Sequence, residues 1–334
     1  MQAPATLIVG QGLAGTCLAW ELWWRGAEFL IVDREAGPAS SRVAAGLINP
    51  VTGKTWSLGW RYAEFFAEAR AFYQRVGAEL GGEFLTEFAV VRLVADDQRE
   101  RVAQRLAGSA LAHREVALGA PWRPASGIEI GGAGRVDLPR FLDASREFFR
   151  SRGRYRHGSA DGAGQVAGLA PGRTVFCEGA AGLLGGVAAC LPSRCAKGEI
   201  LTVEIPALAE TRLVVGNGGW LVPIGNHRFR AGATYQWDNL DAEPTPAGRG
   251  WVEALLAGLL DTEWTLVEQL AGIRPIVRQS RPVVMRLAAD PARVVFNGLG
   301  SKGALYAPGT AARLAAWLLG GAPLDPELAM EVGG

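Results

Sequence analysis

Thr6-Leu7-Ile8-Val9-Gly10-Gln11-Gly12-Leu13-Ala14-Gly15 is the stretch from which the rest of the chain is read. A short apolar run, Leu7-Ile8-Val9, meets Gly10-x-Gly12-x-x-Gly15. A helical pattern starts at once, and a second apolar run, Phe29-Leu30-Ile31-Val32, ends in Asp33. Strand, glycine turn, helix, strand and acid in this order form the dinucleotide-binding fingerprint in the context it requires. Gly10 permits the tight turn, Gly12 admits a pyrophosphate to the backbone, and Gly15 lets helix and strand pack closely. The helix amino end offers free N–H groups and a positive dipole end to phosphates. Asp33 can accept hydrogen bonds from a ribose diol and disfavours a 2′-phosphate there.

The chain has 334 residues, long for one core and suited to two domains. Its formal net charge of +1 provides no bulk field toward nucleic acid or an acidic membrane, which argues against a nucleic-acid partner. The four cysteines, Cys17, Cys177, Cys190 and Cys195, show no C-x-x-C spacing and read as thiols in a reducing compartment. His113, His157 and His227 are too widely spaced for a ligand cluster, so no metal is expected. No uncharged apolar run approaches the ~20 residues of a membrane helix. The amino-terminal stretch reads as strand and turn rather than as a signal peptide. The expectation is a cytoplasmic protein without a membrane span.

Further along, Gly37-Pro38-Ala39-Ser40-Ser41-Arg42 is a loop signal, leading to Ala44-Ala45-Gly46-Leu47. Residues 60–80 carry Tyr62, Phe65, Phe66, Ala69, Phe72, Tyr73 and Val76 at helical spacing, a pattern of core residues. Residues 84–95 read as strand, 97–113 as a charged helix, and 114–134 as turn-rich with one strand near Ile128-Glu129-Ile130. Asp137 and Pro139 open another helix. From 196 to 235 the texture is that of antiparallel strands, with a helix at about 246–260, more strand to 298 and a last helix over 304–319. Nucleotide-binding pieces thus lie at the start, middle and end of the chain. The expected fold class is α/β, a Rossmann-like dinucleotide-binding domain (1–60, 134–195 and 286–334) interleaved with a β-sheet-rich α+β substrate domain (61–133 and 196–285).

Several stretches, taken together, resemble the FAD-dependent amine and amino-acid oxidoreductases of the D-amino-acid oxidase and glycine oxidase type. They are the glycine turn with Asp33, Ala44-Ala45-Gly46, Gly134-Arg135-Val136-Asp137, the run from Val175 to Gly179, Lys197-Gly198-Glu199, Ala271-Gly272-Ile273-Arg274-Pro275, and the segment from Asn297 to Pro308. The resemblance covers essentially the whole chain. It implies that the cofactor is FAD, with Gly10, Gly12, Leu13, Ala14, Gly15, Asp33 and Arg34 around the ADP half. Ala45, Gly46, Leu47, Gly179, Gly300, Ser301, Gly303 and Ala304 complete the implied cofactor site. It also implies that Arg274 grips a substrate carboxylate, as a planar guanidinium suits; the competing reading is a structural arginine between strands. Trp220 matches the place of an aromatic residue over the substrate, or is a core tryptophan. Lys302 lies beside the flavin in this reading, or is a solvated loop lysine. Tyr235, Arg278 and Tyr306 are further pocket candidates.

The activity implied is hydride transfer from a small amino acid or secondary amine to the flavin, with oxygen or another acceptor completing the cycle. Three alternatives stand beside it. Gly300-Ser301-Lys302-Gly303 with Ala307-Pro308 also resembles the flavin domain that oxidises a carboxymethylaminomethyl group on wobble uridine of tRNA. Arg150, Arg152, Arg154 and Arg156 make a local basic run that a solvated face explains equally well. The remaining two are an NAD(P)H-dependent flavoprotein and a non-catalytic FAD-binding module.

Overall fold

A computed structural model describes residues 4–35, 39–53, 56–94, 98–107, 112–160, 165–166, 168–277 and 280–330. The opening apolar run forms β1 (Thr6–Val9), buried along its whole length. It pairs in parallel with β2 (Phe29–Asp33) and β10 (Arg173–Phe176). β10 continues in parallel to β17 (Asp290–Asn297), and β2 to β9 (Tyr155–His157). β16 (Val283–Leu287) closes the edge of this six-stranded sheet as an antiparallel partner of β17.

Helix α1 (Leu13–Trp24) crosses from β1 toward β2. It is apolar nearly all round because it lies between the sheet and two further helices, α5 (Leu138–Ser151) and α8 (Gly303–Leu318). α5 starts where Asp137 accepts a hydrogen bond from the Arg140 N–H, with Pro139 in its first turn. The aromatic stripe of residues 60–80 becomes the buried face of α3 (Tyr62–Leu80), ended by Gly81 in the left-handed conformation and packed on α8. α3 lies in the segment 61–133, yet its side chains join the core of α1, α5 and α8.

The second sheet runs β15 (Thr265–Arg274), β11 (Ala196–Glu204), β14 (Arg228–Gly232), β13 (Gly219–Gly225), β12 (Leu213–Gly216), β6 (Leu85–Arg92), β8 (Ser126–Val136), β3 (Leu47–Ile48). β7 (His113–Ala117) pairs with β8 off this path, and β4 (Val51–Thr52) with β5 (Ser57–Leu58) makes a separate hairpin. All pairs in this sheet are antiparallel except β6 with β12. α7 (Pro246–Leu259) covers one face through Val252, Leu255, Leu256 and Leu259. The short helices α2 (Ser40–Val43), α4 (Arg99–Ala107) and α6 (Gly179–Leu184) complete the described elements. The molecule is an α/β fold in which a Rossmann-like sheet is interleaved with a β-rich body, and no described helix is long and apolar enough to cross a membrane.

Two stretches differ from the sequence reading. The charged helix of 97–113 is the shorter α4, and His113 already begins β7; residues 97 and 108–111 lie outside the described set. The turn-rich 114–134 is largely the hairpin of β7 and β8, one long strand where a short one was expected. Gly127, Gly131, Gly132 and Gly134 lower the local strand signal. Pairing to β6 on one side and β7 on the other supplies the ladder that local propensity does not. Of the loop signal at 37–42, Gly37 and Pro38 are outside the described residues, and Ser40 opens α2.

Candidate active site

A cleft of about 690 Å³ opens at the carboxyl ends of β1, β2 and β10 and runs to the inner face of the second sheet. Ligands of open α/β sheets bind at this position, and the volume falls within the ~300–1,000 Å³ of small-molecule and cofactor sites. The glycine turn forms one wall. Gly10 has φ +102°, and a Cβ there would lie 2.6 Å from the Cys177 carbonyl oxygen. A Cβ on Gly15 would fall on the Gly10 carbonyl, so Gly15 sits behind the turn and sets the helix flush with the strand rather than lining the cleft.

Asp33 ties this wall together. Its Oδ2 accepts the Gln11 N–H at 2.6 Å and its Oδ1 the Glu35 N–H at 2.7 Å. Each carboxylate oxygen keeps capacity for a second donor. Gln11 in turn donates through Nε2 to the Leu142 carbonyl and accepts from Arg146 Nε, both at 2.9 Å, which pins α5 to the turn. Gly12 caps α1 without a side chain, and Ser41 Oγ accepts the Leu13 N–H at 3.1 Å.

Gly10, Gly12, Leu13, Ala14, Asp33, Arg34, Ala45, Gly46, Leu47, Gly179, Gly300, Ser301, Gly303 and Ala304 all line this single cleft. The loop at 44–47 is held because Val136 donates its N–H to the Gly46 carbonyl at 2.9 Å. The turn before α8 is held because Gly300 donates to the Pro275 carbonyl at 3.0 Å, and Asn297 Nδ2 to the Gly179 carbonyl at 2.9 Å. The cleft thus meets helix amino ends at two places, α1 and α8.

Arg274 and Trp220 line the same cleft from the second sheet, with Ile200 and Ala233. Arg274 Nη1 donates to the Lys197 carbonyl at 3.2 Å and the Thr234 carbonyl at 3.1 Å, and the guanidinium stands 4.3 Å from the Tyr235 ring centre. These two bonds use one nitrogen of a fork that carries five N–H donors, leaving Nε and Nη2 without a protein acceptor among the described residues. Burial pushes the Arg274 pKa down, and no carboxylate offsets it. Gly198 makes room for the fork, because a Cβ there would overlap the guanidinium.

Three sequence candidates stand elsewhere. Lys302 precedes α8, but the cleft wall there is Ser301 and Gly303; burial lowers the lysine pKa. Tyr306 turns away altogether: its hydroxyl donates to the Trp60 carbonyl at 3.1 Å and its ring packs on Phe65. Tyr235 stacks on Arg274 and is not itself on the cleft wall. Arg278 lies outside the described residues. The sequence reading missed Ser41, Arg146, Glu178 and Asn297. Ser41, Glu178 and Asn297 lie inside stretches that were read, but no role was given to them there. Arg146 reaches the site only because α5 packs across the glycine turn. Glu178 is notable for an Oε2 that is buried without a partner, and burial raises its pKa against the opposing pull of Arg34.

These features suit a long dinucleotide with a reactive ring: a glycine cradle, two helix amino ends, an acid at the end of β2 and an unpartnered acceptor on Glu178. The family described as FAD dependent oxidoreductase (DAO) matches residues 6–317. Among curated relatives, the bifunctional protein ThiO/ThiG of Nostoc sp. is 24% identical over 92% of this chain and 52% of its own length. The tRNA 5-methylaminomethyl-2-thiouridine biosynthesis bifunctional protein MnmC of Idiomarina loihiensis is 25% identical over 94% of this chain and 55% of its own. The chain therefore spans about half the length of these curated relatives. Among solved structures, glycine oxidase from Geobacillus kaustophilus superposes with a TM-score of 0.83 at 20% identity, covering 98% of both chains. Iminodiacetate oxidase from Chelativorans sp. superposes with a TM-score of 0.79 at 22% identity, over 97% of this chain and 98% of the other. These likenesses show the fold, and the family match extends over nearly the whole sequence. The chain belongs to the FAD dependent oxidoreductase family, and its cofactor is FAD.

Proposed function

We propose that this chain oxidises the C–N bond of a small amino acid or secondary amine whose carboxylate is held by Arg274. In this reading the turn at 10–15 with Asp33 holds the ADP end of FAD, and the loop at 44–47 with residues 300–304 holds the flavin end. Bound FAD would supply the acceptor for a hydride leaving the substrate carbon that bears nitrogen. The chain's own task is to position and to exclude water. Arg274 presents Nε and Nη2, a planar pair of donors matched to a carboxylate. Ile200 and Trp220 supply apolar wall beside it, which strengthens the ion pair by lowering the local dielectric. The amino end of α8 favours negative charge at its mouth. The observation that carries this reading is the desolvated guanidinium of Arg274, unpaired by any carboxylate, on the wall of the FAD-sized cleft.

The test is anaerobic mixing of the FAD-loaded protein with a panel of amino acids, secondary amines and NADPH. Bleaching of the flavin band by amino acids or carboxylated amines is expected. Bleaching by NADPH alone overturns the amine reading. One observation favours a second substrate: a curated relative covered over 94% of this chain is named for biosynthesis of a methylaminomethyl uridine in tRNA. A carboxymethylaminomethyl uridine also presents a carboxylate and a C–N bond. It belongs in the same panel, and bleaching by that nucleoside alone selects this reading.

A further inference from the structure

We infer that the site selects substrates that carry an aromatic ring, which docks on a ledge built by Tyr235 and Trp237 beside Arg274; this rests on Arg274 holding the substrate carboxylate. The ledge adjoins the cleft through Arg274, which lines the cleft and stacks on Tyr235. Ala233 also lines the cleft, and just beyond it Gln236 and Lys197 exchange backbone hydrogen bonds of 2.8 and 3.0 Å that tie this segment to β11. Tyr235 touches Arg274 and Trp237 touches Tyr235, so the two rings step from the cleft wall to the surface.

The two rings contact each other, with centroids 5.0 Å apart and planes at 50°. Each is backed by a guanidinium, Arg274 at 4.3 Å from Tyr235 and Arg194 at 4.2 Å from Trp237. Their other surfaces are open: Tyr235 is 48% exposed and Trp237 37%. Large rings left in water are expected to be covered when their neighbourhood binds something. The segment is also held firmly. The fully buried Lys197 reaches Asp241 at 2.5 Å, and Asp241 accepts the Glu243 N–H at 3.1 Å. A rigid aromatic surface next to a fixed cation suits a ligand with a carboxylate at one end and a flat ring a few bonds away. Because Arg274 touches Tyr235, a carboxylate on Arg274 places its own substituent within reach of the ledge.

The experiment titrates the FAD-loaded protein with 3-phenylpropanoate and with propanoate by isothermal calorimetry. The aromatic acid is expected to bind about tenfold more tightly. Trp237→Ala should abolish that preference while leaving propanoate binding unchanged, and Trp237→Phe should keep it. Equal binding of the two acids to the unaltered protein overturns the ledge and leaves the carboxylate grip standing. So does a preference that survives Trp237→Ala. Failure of either acid to bind overturns the grip of Arg274, and the ledge with it.

Discussion

Replacing Arg274 by alanine removes a cleft-lining guanidinium whose charge is buried with no acidic partner among the described residues. Two losses follow, and they fall on different observables. The Thr234 carbonyl loses its donor, which costs about 1–3 kcal/mol of stability, while the Lys197 carbonyl keeps the Gln236 N–H. The substrate carboxylate loses a two-point, charge-assisted contact in a desolvated site, and breaking such a pair costs about 3–5 kcal/mol. At 1.4 kcal/mol per tenfold, kcat/KM should fall by roughly 100- to 4,000-fold. The assay is anaerobic stopped-flow reduction of the flavin by an amino acid and by its primary amide, which keeps the C–N bond but carries no carboxylate. The acid should lose the full factor and the amide little. Arg274→Lys should recover part of the loss, because the charge remains and the planar fork does not. Equal losses for acid and amide would show that the arginine only supports the fold. Unchanged kinetics for the acid would remove it from the site.

Gly198→Ala should mimic much of that defect without touching charge, since its Cβ would overlap the guanidinium; near-normal kcat/KM for the acid in this variant would show that the fork need not lie where it does. Asp33→Ala should release FAD during gel filtration and lower the stability of the glycine turn, because it removes the acceptor of the Gln11 and Glu35 N–H groups; full retention of FAD by a folded variant would contradict the role given to Asp33. Burial raises the Glu178 pKa above its unfolded value, so the folded apoprotein holds that proton more tightly. Its favourable contribution is complete below the unfolded value of about 4.3 and is lost as pH rises through the folded value. Glu178→Gln should therefore stabilise the apoprotein at pH 7 and have little effect near pH 4, read as urea midpoints; a pH-independent difference would sink this assignment.

How much of this was readable in advance varies along the chain. The glycine turn, Asp33, the aromatic face of α3 and the cap of α5 are local patterns, and each is where its pattern places it. β8 was legible only as a short strand because its glycines weaken the strand signal, while its stability comes from partners on both sides. The interleaving of two sheets was implied by the order of the motifs, but the pairing of β3 with β8 was not, since nothing local in a two-residue strand names a partner.

By itself, the sequence determined the class of fold and the cofactor. The fold rests on short-range chemistry: a turn only glycine can make, an apolar strand on either side of a helix, an acid one strand later; the choice of FAD rests on the resemblance carried by several motifs together, since that turn and acid alone serve NAD or FAD. Tertiary structure alone decided which side chains meet. Arg274 came to the cleft with a free fork because Gly198 lies beneath it on the neighbouring strand, whereas Lys302 and Tyr306 did not join the cleft wall. Arg146 entered from a helix more than a hundred positions away from Gln11, and Glu178 lost its partner through burial. Such outcomes depend on packing between elements distant in sequence, where the direction of one side chain is set by neighbours that no local pattern encodes.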